Sequence, residues 1–250
     1  MDAALEAAVA HFAEHGWAVV RGAVAAPAAA ALAAASEALL PTTVAASMVG
    51  DEGVPQVTEP SRRHPALAAW LRERRPFAAA AAMLGARRVQ LLQDVLLVKP
   101  PRPGARLAWH QDAAYFGFVA GFATASVRLA LGPCTVASGC MWVLDGTHRE
   151  GLARSDEGDA LVRDGRPEAL RARGMAGAVA VELAPGDVSV HHALTFHGSF
   201  ENTTDLARRT LVAHVASADA AIDAARLPPG VPLGADGRLD RARYPLLPVA

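Results

Sequence analysis

His110-Gln111-Asp112 sets an imidazole and a carboxylate two residues apart. On an extended strand, residues i and i+2 project from the same face, so His110 and Asp112 are expected to project together with Gln111 turned away. Such a pair can fill two adjacent positions around a divalent cation. One more imidazole from a distant strand completes a two-His-one-carboxylate facial triad, the donor set of non-haem Fe(II) oxygenases. On its own, His-x-Asp is common and its ordinary reading is structural. The third donor must come from the C-terminal half, where Pro185-Gly186-Asp187 turns into an apolar run over 188–197. His191 and His192 lie inside that run. His197 lies at its end, before Gly198-Ser199, where a side chain can point into a pocket. For His191, His192 and His214 the ordinary reading is a packed or hydrogen-bonded core residue. His11, His15 and His64 read as surface residues, and His148 as structural or lining a site.

A co-substrate with two carboxylates needs a cation at its far end, and the bidentate fork of Arg suits that best. Arg208 and Arg209 follow His197 on what reads as the next, returning strand. Adjacent strand residues face opposite sides, so only one of the two can point inward. The other reading is a solvated surface pair. Ser199 could donate to the same carboxylate. Arg128 sits in the alternating run Ala125-Ser126-Val127-Arg128-Leu129-Ala130-Leu131 and is expected on its inward face. A buried Arg needs an anion: the co-substrate, an acidic group on the substrate, or an Asp or Glu from elsewhere.

The elements that must carry these residues divide the chain. Residues 4–15 read as a helix stopped by Gly16, Trp17-Ala18-Val19-Val20 as a short strand, and residues 27–40 as an Ala-rich helix. Residues 41–64, with two Gly and three Pro, read as a long loop over the pocket mouth. Residues 65–85 read as helical. From residue 88 onward, short Val/Leu-rich runs alternate with turn residues (89–98, 107–112, 125–131, 140–144, 178–183, 188–197 and 210–216), the pattern of an all-β sandwich or barrel. A charged stretch over 151–175 reads as loop, with a helix at 167–173. The expectation is one domain over 1–250: a mostly helical flank (1–87), a β core (88–216) and a C-terminal extension (217–250).

The chain has 250 residues with 24 basic and 25 acidic side chains. That balance gives no electrostatic case for nucleic acid or an anionic membrane surface. There are 58 Ala, and 23 of the 24 basic residues are Arg, Lys99 being the single Lys. Ala inflates the hydrophobic fraction without adding much buried area. The N-terminus lacks the basic region of a signal peptide, and no apolar run is long enough to span a bilayer. Cys134 and Cys140 read as reduced, buried thiols. The expectation is a cytoplasmic enzyme acting on a small molecule, its oligomeric state left open.

Four ordered motifs carry a family resemblance. They are Leu97-Val98-Lys99-Pro100-Pro101 leading to Trp109-His110-Gln111-Asp112-Ala113-Ala114-Tyr115-Phe116; Ser138-Gly139-Cys140-Met141-Trp142-Val143-Leu144-Asp145-Gly146-Thr147-His148; Pro185-Gly186-Asp187 followed by His197-Gly198-Ser199-Phe200-Glu201-Asn202; and Arg208-Arg209. With the opening His11–Val20, the chain over residues 5–216 resembles the phytanoyl-CoA dioxygenase family of Fe(II)/2-oxoglutarate oxygenases. The resemblance implies a mainly β (α+β) fold: a double-stranded β-helix, or jelly roll, with flanking N-terminal helices. It implies that His110, Asp112 and His197 bind Fe(II). It further implies that Arg208 binds the distal carboxylate of 2-oxoglutarate, with Ser199 assisting and Lys99 in reach. O2 is the remaining co-substrate, and succinate and CO2 are released as an unactivated C–H bond is hydroxylated. Asp112 matters because related halogenases carry a small residue there. Two positions depart from the family: Arg128 stands where an aromatic residue, usually Trp, is common, and Asp145 where Pro is usual. Candidate substrate residues are Gln93, Tyr115, Phe116, Phe118, Arg128 and Trp142, overhung by 41–64 and 115–124. The substrate is expected to be a small molecule, such as a natural-product intermediate. The alternatives are a metal-dependent cupin-type enzyme that does not use 2-oxoglutarate, against which Arg208 and Lys99 argue, and a non-catalytic jelly-roll binding protein, against which the complete His110, Asp112, His197 and Arg208 set argues.

Overall fold

The computed structural model describes residues 2–40, 54–101, 105–153 and 178–249. The expected helix at 167–173 and most of the expected loop over 41–64 lie outside them. Helix α1 (Ala3–His15) begins at Asp2, whose carboxylate accepts from the Leu5 N–H at 2.8 Å. It ends at Gly16, which is left-handed at φ 81° and returns its N–H to Phe12. Strand β1 (Trp17–Val20) follows. Helix α2 (Ala26–Glu37) carries Pro27 in its first turn, where no N–H is needed. Strand β2 (Gln56–Thr58) leads to short helices α3 (Pro60–Arg63) and α4 (Pro65–Ala68), then α5 (Arg74–Met83).

The sheets follow. They are built from β3 (Val89–Lys99), β4 (Leu107–His110), β5 (Thr124–Ala130), β6 (Met141–Leu144), β7 (Ala178–Val181), β8 (Val188–His192), β9 (His197–Ser199) and β10 (Arg208–Ser217), with helix α6 (Ala113–Phe116) after β4. A six-stranded sheet has the order β1-β8-β5-β10-β3-β2 and a four-stranded sheet the order β4-β9-β6-β7. Every pairing is antiparallel. This is the double-stranded β-helix the resemblance implies.

The large sheet is covered on both faces, which is why every residue of β5 and all but one of β3 are buried. Its outer face carries Leu96, Val127, Leu129, Val190, Leu211 and Ala213. These pack against the helices through Phe12, Leu32, Trp70 and Phe77, the last two with rings 5.3 Å apart. The Ala-rich helices can lie close to the sheet because their side chains are short. A second cluster, including Trp109, Trp142, Val143, Phe196 and Phe200, backs the small sheet. The inner faces of the two sheets enclose a cavity. No helix among the described residues is long and apolar enough to cross a membrane.

Two expectations about strands need correcting. The run over 188–197 is two strands, β8 and β9, in different sheets. Thr195 N–H closes the intervening turn on the His192 carbonyl at 2.9 Å. Residues 107–112 do not form one strand either: β4 stops at His110, and Asp112 is already right-handed helical at φ −59°, ψ −26°, at the head of α6.

Candidate active site

His110 ends β4 and His197 begins β9, its antiparallel partner, so the register places the two imidazoles opposite each other. Their ring centroids are 4.2 Å apart. Asp112 joins them because the chain turns after His110, not through the strand alternation expected from sequence. Asp112 Oδ1 lies 3.5 Å from His110 Nε2 and 3.7 Å from His197 Nε2. One donor atom from each of the three falls within 4.8 Å of the others. Each imidazole points Nδ1 at a backbone carbonyl: His110 at Ala108 (2.8 Å) and His197 at Thr195 (3.0 Å). Those bonds hold the proton on Nδ1 and leave the Nε2 lone pair free. Burial pushes His197 well below the usual histidine range, reinforced by His110 and His191, so it is neutral as a ligand must be. Burial alone would raise the Asp112 carboxyl. The imidazoles of His197, His110 and His191 packed around it outweigh that and hold the group well below the usual carboxylate range. Two neutral imidazoles and a carboxylate fit Fe(II) in a facial arrangement.

The second oxygen of Asp112 has its own partners. Ser126 Oγ donates to Oδ2 at 2.5 Å, and His191 Nε2 lies 3.1 Å from the same atom. His214 Nδ1 in turn meets Ser126 Oγ at 2.7 Å. A carboxylate only accepts, so Ser126 must accept from His214. His191 is buried and His214 half-buried, both hydrogen-bonded as their ordinary reading held, yet both are tied to Asp112. Ser126 is a site residue the sequence reading did not single out. Its place at i−2 from Arg128 on an alternating strand was the available signal. Gln111 is turned away as expected and ties three segments together, donating to Gly151 and Leu194 and accepting from Ala153.

Deeper in the barrel lies a group of basic side chains. Arg208 pairs in register with Lys99, and both are buried on the inner face. All three guanidinium nitrogens of Arg208 are buried without a hydrogen-bond partner. Arg209 faces the other way, bonding the Ala33 carbonyl, Ser36 and Glu37 of α2. Lys99 Nζ donates to Ser199 Oγ at 2.6 Å and to the Phe200 carbonyl. Burial, with the charges of Arg208 and Arg128, pushes this ammonium down to about 6. Gly139 is required here: at φ 69° a Cβ would come within 2.7 Å of Lys99 Cδ and closer still to the Phe200 carbonyl oxygen. Thr210 Oγ1, on the same inner face two residues after Arg208, is also buried without a partner. It too escaped the sequence reading, although i+2 from Arg208 was again the signal. Cys134 and Cys140 are free and buried, and burial pushes the Cys140 thiol up to about 11.

Between the triad and solvent the cavity measures about 610 Å³. That is the size of a site for a small organic molecule. Gln93, Tyr115, Phe116, Phe118, Arg128 and Ser199 line it with the triad. Trp142 does not: alternation on β6 turns Met141 into the cavity and Trp142 outward against Phe200, 5.8 Å between rings. The C-terminal segment supplies Pro228, Val231, Arg243 and Tyr244 to the rim, where Arg243 meets Glu59 at 2.6 Å. Residues 217–249 thus contribute to the cavity, which the sequence did not reveal.

A family model described as phytanoyl-CoA dioxygenase (PhyH) matches residues 12–210. The chain is similar to the phytanoyl-CoA dioxygenase of Arabidopsis thaliana, 28% identical over 144 residues, covering 57% of this chain and 50% of that protein. The chain thus spans about half the length of the curated relatives it matches. Among solved structures it is similar to the non-heme alpha ketoglutarate dependent epimerase SnoN from nogalamycin biosynthesis, with a TM-score of 0.79, 27% identity and 98% coverage of both chains. A second SnoN structure, in complex with Fe3+, alpha ketoglutarate and nogalamycin RO, superposes with a TM-score of 0.76, 27% identity and 98% coverage of both chains.

Proposed function

The chain belongs to the phytanoyl-CoA dioxygenase family, and from that premise we propose that it is an Fe(II)- and 2-oxoglutarate-dependent oxygenase working as one domain on a small molecule. The observation that carries this reading is the pairing of two features in one barrel: the His110, Asp112, His197 cluster with free Nε2 lone pairs, and the unpartnered Arg208 guanidinium beneath it. His110, Asp112 and His197 hold the metal. Arg208 takes the distal carboxylate of 2-oxoglutarate, flanked by Ser199 and Thr210, while Lys99 orients Ser199. Bound iron, O2 and the oxo acid supply the oxidant that breaks an unactivated C–H bond, with succinate and CO2 as coproducts. The protein's own part is to bind, orient and exclude water. Apolar and aromatic walls at Leu92, Phe116, Phe118 and Val231 enclose the substrate's body, and Gln93 and Tyr115 offer it hydrogen bonds.

Hydroxylation of a natural-product intermediate is the outcome we favour, because Asp112 fills the position that a halide would need. Epimerisation is a second reading, favoured by the full-length similarity to SnoN. Product mass separates them: one added oxygen from labelled O2 means hydroxylation, and an unchanged mass means epimerisation. The oxygenase reading itself is tested by adding Fe(II) and 2-oxoglutarate to the protein without oxygen. A weak visible charge-transfer band is expected, lost in His110→Ala. Absence of the band in the wild-type protein overturns the reading.

A further inference from the structure

Arg128 lies on the inner face of β5, 6% exposed, and lines the cavity. Its cross-strand neighbours are Ser189 on β8 and Val212 on β10, neither of them charged. Among the described residues no carboxylate comes within ion-pair distance of it, so none of them is the Asp or Glu partner considered from sequence. A buried guanidinium without an anion is costly and needs a ligand to complete it.

Its level in the barrel narrows the choice. Ser126, which bonds Asp112, is two residues before it on the same face, about 7 Å back along the strand. Val212, its partner on β10, is four residues from Arg208 on the inner face that also carries Thr210. Arg128 therefore stands between the triad and the Arg208–Lys99 pair, below the aromatic end of the cavity formed by Tyr115, Phe116 and Phe118. Ser189 Oγ, beside it on that face, is also buried without a partner. A 2-oxo acid running from the triad to Arg208 passes this level with its keto-acid end.

We propose that Arg128 binds the carboxylate adjacent to the keto group of the oxo acid, with Ser189 beside it, so that a guanidinium grips each end of the co-substrate. The assignment rests on the oxygenase reading above. It moves Arg128 from the expected substrate set to the co-substrate pocket, and it gives the departure from Trp a chemical role. A second carboxylate beside Asp112 would repel it, and a cation there relieves the repulsion.

Titration of the anaerobic Fe(II) protein with 2-oxoglutarate and with 2-oxobutyrate, which lacks the distal carboxylate, tests this. Arg128→Gln is expected to weaken both acids by the same factor, at least tenfold, with Arg128→Lys intermediate. Arg208→Gln is expected to weaken 2-oxoglutarate alone, down to the level of the monoacid. A loss in Arg128→Gln confined to 2-oxoglutarate would place Arg128 at the distal carboxylate and overturn the assignment. Unchanged affinity for both acids, with a raised KM for the organic substrate, would place an acidic substrate group there and overturn it as well. If the wild-type protein binds neither acid, the oxygenase reading falls first. Thermal unfolding of the ligand-free proteins guards against misfolding: Arg128→Gln and Arg128→Met are expected to melt no lower than wild type, since each removes an unpaired buried charge.

Discussion

Asp112 gives its two oxygens different work. Oδ1 faces His110 and His197, while Oδ2 accepts hydrogen bonds from the Ser126 hydroxyl and the Nε2–H of His191. The chain from His214 through Ser126 fixes the carboxylate plane, so that one oxygen is presented to a cation and the other is held back. Removing the Ser126 hydroxyl leaves His214 Nδ1 without an acceptor and frees the carboxylate to rotate. Ser126→Ala is therefore expected to weaken Fe(II) or Mn(II) binding by about 10-fold or more, measured by metal titration under anaerobic conditions. If the metal affinity is unchanged and only the melting temperature falls, Ser126 is a packing residue and not a positioning one.

At the scale of elements, local rules carried some boundaries and not others. Gly16 stopping a helix, Trp17–Val20 as a strand and the Val/Leu run of β3 were legible because each rests on a strong local signal: a left-handed cap or an apolar run flanked by breakers. The break between β8 and β9 was not legible. Its turn has no Gly or Pro and is closed by His192 and Thr195, whose hydroxyl also bonds the Gly16 carbonyl at 2.7 Å. The convergence of His110 and Asp112 was anticipated, but for the wrong geometric reason, because the onset of α6 depends on tertiary packing. Asp145 shows the same limit. Marked in the sequence only as a departure from the family's usual Pro, it docks the N-terminal elements onto the small sheet, accepting from Trp17 Nε1 at 2.8 Å and meeting His15 Nδ1 at 2.7 Å. Replacing it strands both donors in a half-buried seam. Asp145→Ala is expected to cost about 1–3 kcal/mol in urea unfolding, and restoring the family's Pro should cost no less. An unchanged midpoint would show that the seam is held by packing alone.

The whole molecule folds around imidazoles that must stay neutral. Burial lowers His191, His192, His197 and His214 together, and metal binding would demand the same neutral state of the two proposed ligands, His110 and His197. His192 isolates the consequence, because it lies outside the triad. Its Nδ1 accepts the Leu194 N–H at 3.1 Å, which only a ring unprotonated at that nitrogen can do. Burial, then the charges of His148 and His191, push it down to about 4. In the unfolded chain it returns to about 6.5. Between those values the unfolded state binds the extra proton, so the stability His192 contributes is lost as pH falls from about 6.5 toward 4. The lowered carboxyls of Asp112 and Asp187 act at lower pH, where protonation costs stability too. Asp94, raised by burial, works in the opposite direction and gains on acidification. Comparing wild type with His192→Gln cancels these shared contributions. Between pH 7 and pH 5 the metal-free wild-type protein is expected to lose about 2 kcal/mol more than the variant, from the linkage of a single shifted site. Urea unfolding at both pH values checks this: parallel losses would mean that His192 can take up a proton in the folded protein, and that the acid sensitivity belongs to the other lowered groups.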